Sequence, residues 1–472
     1  MDKIKERLSW GKINCSIILE CYIGMVLFLY PLIVRRGPVL GLFDLKNFIY
    51  YGFTICLFLG WFCLSGWPDK PGKVLKDSLD IGLIVCVVLL VLIAVLKIFR
   101  GDMTYEKEAF YWCLLASFFM LKHWGRVRRK YLALVLAASI PLCTGGIYYL
   151  LTGKESFLKE SFMFRQPEEA ASFFLLTVGI AVVLYYNEES KGKSLLYLLT
   201  AMAGYLVLAL QKYMVSISIV YLVLLVIPMI FPVSVWRVAK NLFLCFSFVF
   251  LVGLVLIFQY VKGLYPEKQC GWILIVGVAV WALLLIAAGY ICQRRGERLQ
   301  NKLSERISAR RIRMRYGQAA VVFFSVLVFC VLGWNRLETA PGVGTKILRV
   351  FAAYIVNTVE EIPSTYQVFL ENYGLIGCIA GFCIAAVVLK HAVASWKSAE
   401  EDKKVFLIVT FIFGVQTFFY SLQPVSTPIY VVFLALALSK EKKTGSQADL
   451  SILPSDERKA GISLCVGESE KQ

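Results

Sequence analysis

Apolar runs of about twenty residues, separated by short polar and often basic segments, recur from one end of the chain to the other. A helix rising about 1.5 Å per residue needs roughly twenty such residues to cross a bilayer's hydrocarbon core. The pattern predicts about fourteen spans, near 14–34, 48–67, 79–99, 109–121, 131–151, 170–186, 194–210, 213–232, 241–261, 271–292, 318–334, 366–389, 405–421 and 428–439. The expected fold is therefore all-α, a polytopic transmembrane helix bundle over residues 1–440. The polar remainder, 441–472, reads as a cytoplasmic, disordered tail. The first run is a full span and lacks the short apolar core and small-residue cleavage site of a signal peptide.

Composition sharpens this picture. The chain is 59% hydrophobic and only 17% charged, with a mean hydropathy of +0.70. A net charge of +18 would suit a nucleic-acid partner if it were gathered on one face. Instead, with both termini cytoplasmic, the inner segments carry 35 of the 50 Lys and Arg residues and the outer segments 15. That asymmetry is the positive-inside rule, so the basic excess sets orientation in the membrane and implies no nucleic acid. The location expected is a membrane, crossed many times with both termini on the cytoplasmic side. Of 14 cysteines, nearly all lie in apolar runs, among them Cys56, Cys63, Cys86, Cys378 and Cys383, and only Cys270 falls on an outer segment. No Cys-x-x-Cys or Cys/His spacing suits a metal, and no cofactor is expected.

The polar segments divide by side. Inside, 122–130 reads as a topology anchor for anionic lipid heads. Residues 293–316 carry nine Lys and Arg with Leu299, Leu303 and Ile307 on one stripe, as in an amphipathic helix on the inner leaflet. Outside, 152–169 ends on Phe164-Arg165-Gln166-Pro167-Glu168-Glu169, where Pro167 suits a helix's first turn and the acids its positive end. Gln211-Lys212-Tyr213 is a tight outer corner. The longest outer segment, 335–365, breaks at Pro341-Gly342-Val343-Gly344. It resumes as an expected surface helix with Ile347, Val350, Phe351, Tyr354 and Ile355 on one face and Arg349, Ala353, Asn357 and Glu360 along another. Among residues inside the spans, Glu20 and Glu371 stand out as acids at membrane depth.

The stretch Tyr366-Gln367-Val368-Phe369-Leu370-Glu371-Asn372-Tyr373-Gly374-Leu375-Ile376-Gly377 resembles the end of the outer loop in the O-antigen ligase and polymerase family of bacterial membrane enzymes. Pro363-Ser364 stands where that family carries His-Asn. Pro167-Glu168 and Ala209-Leu210-Gln211-Lys212 are weaker matches, to a Pro-Asn helix start and a Ser-Arg-Gly corner. The resemblance implies metal-independent transfer or polymerisation of a glycan carried on a polyprenyl pyrophosphate, outside the membrane. It also implies contact with membrane lipids and other envelope-polysaccharide assembly proteins.

Such chemistry needs cations for the charge that grows on the departing pyrophosphate and a base for the acceptor's proton. Arg165, Lys212 and Arg336 are the candidate pyrophosphate ligands, and Arg349, Glu360 and Glu361 the candidate catalytic residues, under a cover formed by 152–169 and 335–365. Glu360 and Glu361 would stand in for the missing His, since His123 and His391 fall on inner segments. A lipid-linked oligosaccharide flippase or transporter and a non-catalytic member of the family are the alternatives. Gly374 and Gly377 also read as a close helix-packing pair.

Overall fold

The computed structural model describes residues 17–33, 38–39, 43–65, 105–152, 167–211, 214–231, 235–264, 365–399, 401–417 and 425–439, with isolated positions within 84–92 and 276–280. Of the expected spans, 79–99, 271–292 and 318–334 lie wholly or mostly outside this set, as do the 293–316 and 345–363 helices and the tail.

The described chain is helical apart from a minimal hairpin, β1 (Pro38–Val39) paired antiparallel with β2 (Phe43–Asp44). The helices are α1 (Ile17–Leu32, with a π-helical turn at Met25–Leu29), α2 (Leu45–Ser65), α3 (Tyr105–Trp124), α4 (Lys130–Thr152) and α5 (Pro167–Asn187). They continue with α6 (Lys191–Leu210), α7 (Met214–Ile230), α8 (Val235–Leu264), α9 (Thr365–Ser398), α10 (Glu401–Gln416) and α11 (Ser426–Leu438). Four of them, α4, α5, α6 and α8, are long and apolar enough to cross a membrane. This is a helical membrane protein. Pro167 opens α5 as its missing N–H predicts, and the resembling stretch from Tyr366 to Gly377 forms the start of α9.

α5 is the mast of the bundle. From Glu169 onward its apolar window is buried throughout, and α4, α6, α7, α8, α10 and α11 all pack against it. Its sequence shows why, since Ala-Ala-Ser-Phe-Phe-Leu-Leu-Thr-Val-Gly-Ile-Ala-Val-Val-Leu is apolar all round, the pattern of a helix enclosed on every side. Between apolar helices in lipid no hydrophobic force acts, so close van der Waals fit must hold them. Small residues supply it. A Cβ at Gly179 would lie 2.9 Å from Ile412 Cδ1 of α10, and one at Gly204 would lie 2.9 Å from Val178 Cγ2 of α5.

One end of the bundle is basic. There Arg128 and Lys130 pair with Glu20 at 2.6 and 2.9 Å, and Arg129 pairs with Glu188 at 3.0 Å. Lys240 Nζ is buried and donates to the carbonyls of Tyr185 and Glu188 at 3.0 and 2.6 Å, closing the last turn of α5. This corrects the expectation for Glu20. It is no isolated acid at membrane depth but the counterion of the basic 126–130 segment, because the helix bundle brings the start of α1 against the start of α4.

Candidate functional site

At the opposite end, three helices converge on a polar layer. α5 and α11 start there and α10 ends there. Their relative register follows from two contacts: Gly179 faces Ile412, and the rings of Phe413 and Tyr430 stack at 4.5 Å. Counting outward at about 1.5 Å per residue puts Gln416 and Ser426 at nearly the same height, with Ser172 about 4.5 Å beyond Gln416. Ser172 and Ser426 share a hydrogen bond of 2.6 Å between their hydroxyls, tying α5 to α11. Glu169 lies one further turn outward on the same broad face of α5.

Gln416 is aimed into this junction. At about 100° per residue, Ile412 and Phe413 mark the directions of α5 and α11 around α10, and Gln416 falls about 40° from Ile412, between them. Its side chain is 2% exposed, and among the described residues neither its amide nitrogen nor its amide oxygen has a hydrogen-bond partner. Thr427 Oγ1, also buried, has none among them either. Glu169, expected at the positive end of the helix, is 1% exposed. Membrane and protein interiors rarely leave groups such as the Gln416 amide and the Thr427 hydroxyl unmade, because each costs the full desolvation of a polar atom.

Beside this layer runs an apolar groove. α10 forms its floor through Leu407, Phe411, Ile412 and Val415, with α7 and α9 as walls, and its volume is about 360 Å³. Leu222, Leu389, Val393 and Phe411 are roughly half exposed, so the groove opens sideways towards what would be lipid. Val415 ends it, and the next residue is Gln416. The two are neighbours along α10, the groove on one side of the helix and the buried hydrogen-bonding layer about 100° further round.

A second polar feature flanks α3 at the same end. Lys46, in the first turn of α2, is 2% exposed, and its Nζ lies 5.1 Å from the centre of the buried Tyr30 ring. Tyr50, one turn on, packs against Tyr30 and Phe110 at 5.5 and 5.7 Å. Tyr22 and Thr54 meet deeper along the same α1–α2 seam, 3.2 Å apart. A cation held against tyrosine faces keeps its charge in an apolar setting through the ring quadrupole.

The candidates read from sequence, Arg165, Lys212, Arg336, Arg349, Glu360 and Glu361, all lie outside the described residues. Those found only in three dimensions are Lys46, Glu169, Ser172, Gln416, Ser426 and Thr427. Their sequence signal is slight: a glutamine after an unbroken apolar turn, and a Ser-Thr-Pro helix start. Among the described residues, no group of three His, Cys, Asp or Glu side chains could hold a metal ion.

Fold and site together define a polytopic helical membrane protein with a lipid-facing groove and a buried polar end. Comparison with protein-family profiles, curated proteins and solved structures gives no match to this chain.

Proposed function

We propose that the chain transfers or polymerises a glycan carried on a polyprenyl pyrophosphate at the outer face of the bacterial cytoplasmic membrane, as a divergent relative of the O-antigen ligases and polymerases. The observation that carries this reading is the apolar groove, open to the side and ending at Val415, with the buried polar layer beginning at the next residue of α10, Gln416. A lipid-linked sugar is itself a long hydrocarbon ending in a polar head, and few other substrates need both surfaces side by side. In this reading the chain crosses the membrane about fourteen times with both termini inside, and the basic end holding Arg128, Arg129 and Lys130 faces the cytoplasm, as the charge rule demands. The polar layer then faces outward, on the side where such a substrate is displayed.

The acceptor hydroxyl attacks the anomeric carbon, the bond from that carbon to the pyrophosphate oxygen breaks, and a carboxylate takes the hydroxyl proton. Arg165, Lys212, Arg336 and Arg349, joined by the buried Lys46, are the cations that offset charge on the leaving diphosphate. Glu360, Glu361 and Glu169 are the acids for the proton. The pairing of Glu20 with Arg128 and Lys130 takes away one of the two acids at membrane depth that a flippase or coupled transporter would use.

Single replacement of Arg165, Lys212 and Arg349 by Ala, with surface-glycan chain length followed on gels, tests the reading. Shortened or absent polymer is expected for each. Wild-type polymer in all three removes the catalytic proposal.

A further inference from the structure

The apolar groove has a length and a direction. Its floor residues Ile408, Phe411 and Val415 lie on one stripe of α10, and one turn back along that stripe stands Lys404, in the first turn of the helix. α9 and α10 are joined by a tight turn, in which the Ala399 N–H donates to the Trp396 carbonyl at 3.4 Å. Trp396, which lines the groove, is therefore at about the height of Lys404 across the hairpin. Ile230, the last residue of α7, lines the same end. Gly179 of α5 faces Ile412 and the two helices run antiparallel, so Lys404 is level with Asn187, at the basic end where Arg129 meets Glu188. From Lys404 to Val415 is about 16 Å at about 1.5 Å per residue. Half of a bilayer's hydrocarbon core is about 15 Å. The groove thus spans one leaflet, from its surface at the basic end to the middle of the bilayer.

A phospholipid has that form, a chain one leaflet long below a phosphate at the leaflet's surface. Lys404 is half-buried, and a lysine at such a depth lays its apolar stem along hydrocarbon and carries its ammonium to the headgroups. Tryptophan favours the same interface. Lys403 beside it donates to the Ser439 carbonyl of the α11 end at 2.9 Å. The first-turn acids Glu401 and Asp402 are exposed, and among the described residues neither forms an ion pair with Lys404. A cation at the rim favours a head of net negative charge over a zwitterionic one.

We infer that the groove binds one acyl chain of an anionic phospholipid from the leaflet at the basic end, with Lys404 meeting its phosphate. This stands apart from the transferase reading, which concerns the other end of the groove, at Gln416. A carrier lipid engaged there displaces the phospholipid chain.

The test uses the full chain in phosphatidylcholine nanodiscs doped with phosphatidylglycerol or phosphatidylcholine bearing the same diazirine-labelled acyl chain, with labelling mapped by mass spectrometry. Phosphatidylglycerol should label 219–230, 389–396 and 407–415 about three- to fivefold more than phosphatidylcholine, the usual worth of a partly exposed ion pair. Lys404→Gln should bring the two lipids level, and Lys404→Arg should keep the preference. Lys193→Gln, at an exposed lysine of the same basic end on α6, should leave it unchanged. Ala392→Trp should lower labelling by both lipids, because it fills the space they share.

Equal labelling by both lipids in the wild type, or a preference that survives Lys404→Gln, overturns the site. So does a preference lost in Lys404→Arg, which would make shape and not charge the cause, or lost alike in Lys193→Gln, which would make it the general field of the basic end. Labelling indifferent to Ala392→Trp also overturns it. The transferase reading fails separately: the lipid preference can persist while the Arg165, Lys212 and Arg349 variants make normal polymer, and the converse can also hold.

Discussion

Filling the groove is the sharpest test of how its shape works. Its volume of about 360 Å³, at about 30 Å³ for each water-sized unit, holds on the order of a dozen methylene-sized groups. Ala392, on the α9 wall, is the position to enlarge, and an indole there takes up most of that room. Each expelled group forfeits contacts worth about 0.1–0.2 kcal/mol apiece, but the displaced chain regains similar contacts in bulk lipid. The net loss is therefore about 1–2 kcal/mol, or roughly tenfold in occupancy.

Ala392→Trp should weaken competition by long-chain alkyl phosphates for a photoreactive dodecyl phosphate by about that factor, and it should shorten the surface glycan in cells. Its thermal stability should be close to wild type, because the groove walls already face hydrocarbon. Phe246→Trp, at a side chain 64% exposed on α8 and outside the groove, is the control. An Ala392→Trp protein that labels and polymerises like wild type refutes the argument that a lipid chain occupies this space.

Four further substitutions test the packing and the ion pairs. Gly125→Ala should destabilise by about 1–3 kcal/mol, since its Cβ would press on the Leu121 carbonyl and lie 2.5 Å from Leu436 Cδ2. Gly253→Ala, with nothing within 4 Å, should gain up to about 1 kcal/mol from helix propensity, and detergent melting curves showing the reverse order would contradict the helix contacts. Lys240→Met should cost about 1–3 kcal/mol by leaving the Tyr185 and Glu188 carbonyls without their donor, measured by melting and by proteolysis at 188–191. Unchanged behaviour there would mean that the α5 end is closed by other groups. Glu20→Gln should cost less than about 1 kcal/mol, because its ion pairs are a third to a half exposed. The cost should shrink in high salt, and a loss independent of ionic strength would count against the pairing.

Much of the architecture was legible in the residues. Runs at 131–151, 170–186, 194–210 and 241–261 each fall within an observed helix, since length and uniform hydropathy leave a chain in hydrocarbon no other way to satisfy its backbone. Helix α6 ends at Leu210 and α7 begins at Met214, on either side of the corner expected at 211–213. Boundaries were less legible. The run 109–121 is part of a 20-residue helix, Tyr105–Trp124, because helix formation extends beyond the apolar core into charged turns that hydropathy discounts. Glu20 was misjudged for a related reason: its partners are more than a hundred residues away in sequence.

Sequence alone determined that this chain lives in a membrane, that many of its runs are long and apolar enough to form helices there, and that one set of segments carries most of the positive charge. Those are properties of composition along a line. Only the tertiary structure decided that α5 stands at the centre, that Gly179 lets α10 approach it, and that Ser172, Gln416 and Ser426 gather at one end although more than 240 residues separate the first from the others. No local pattern encodes that meeting. Helices in lipid choose neighbours by close fit and by polar groups seeking partners, and both depend on which faces come together.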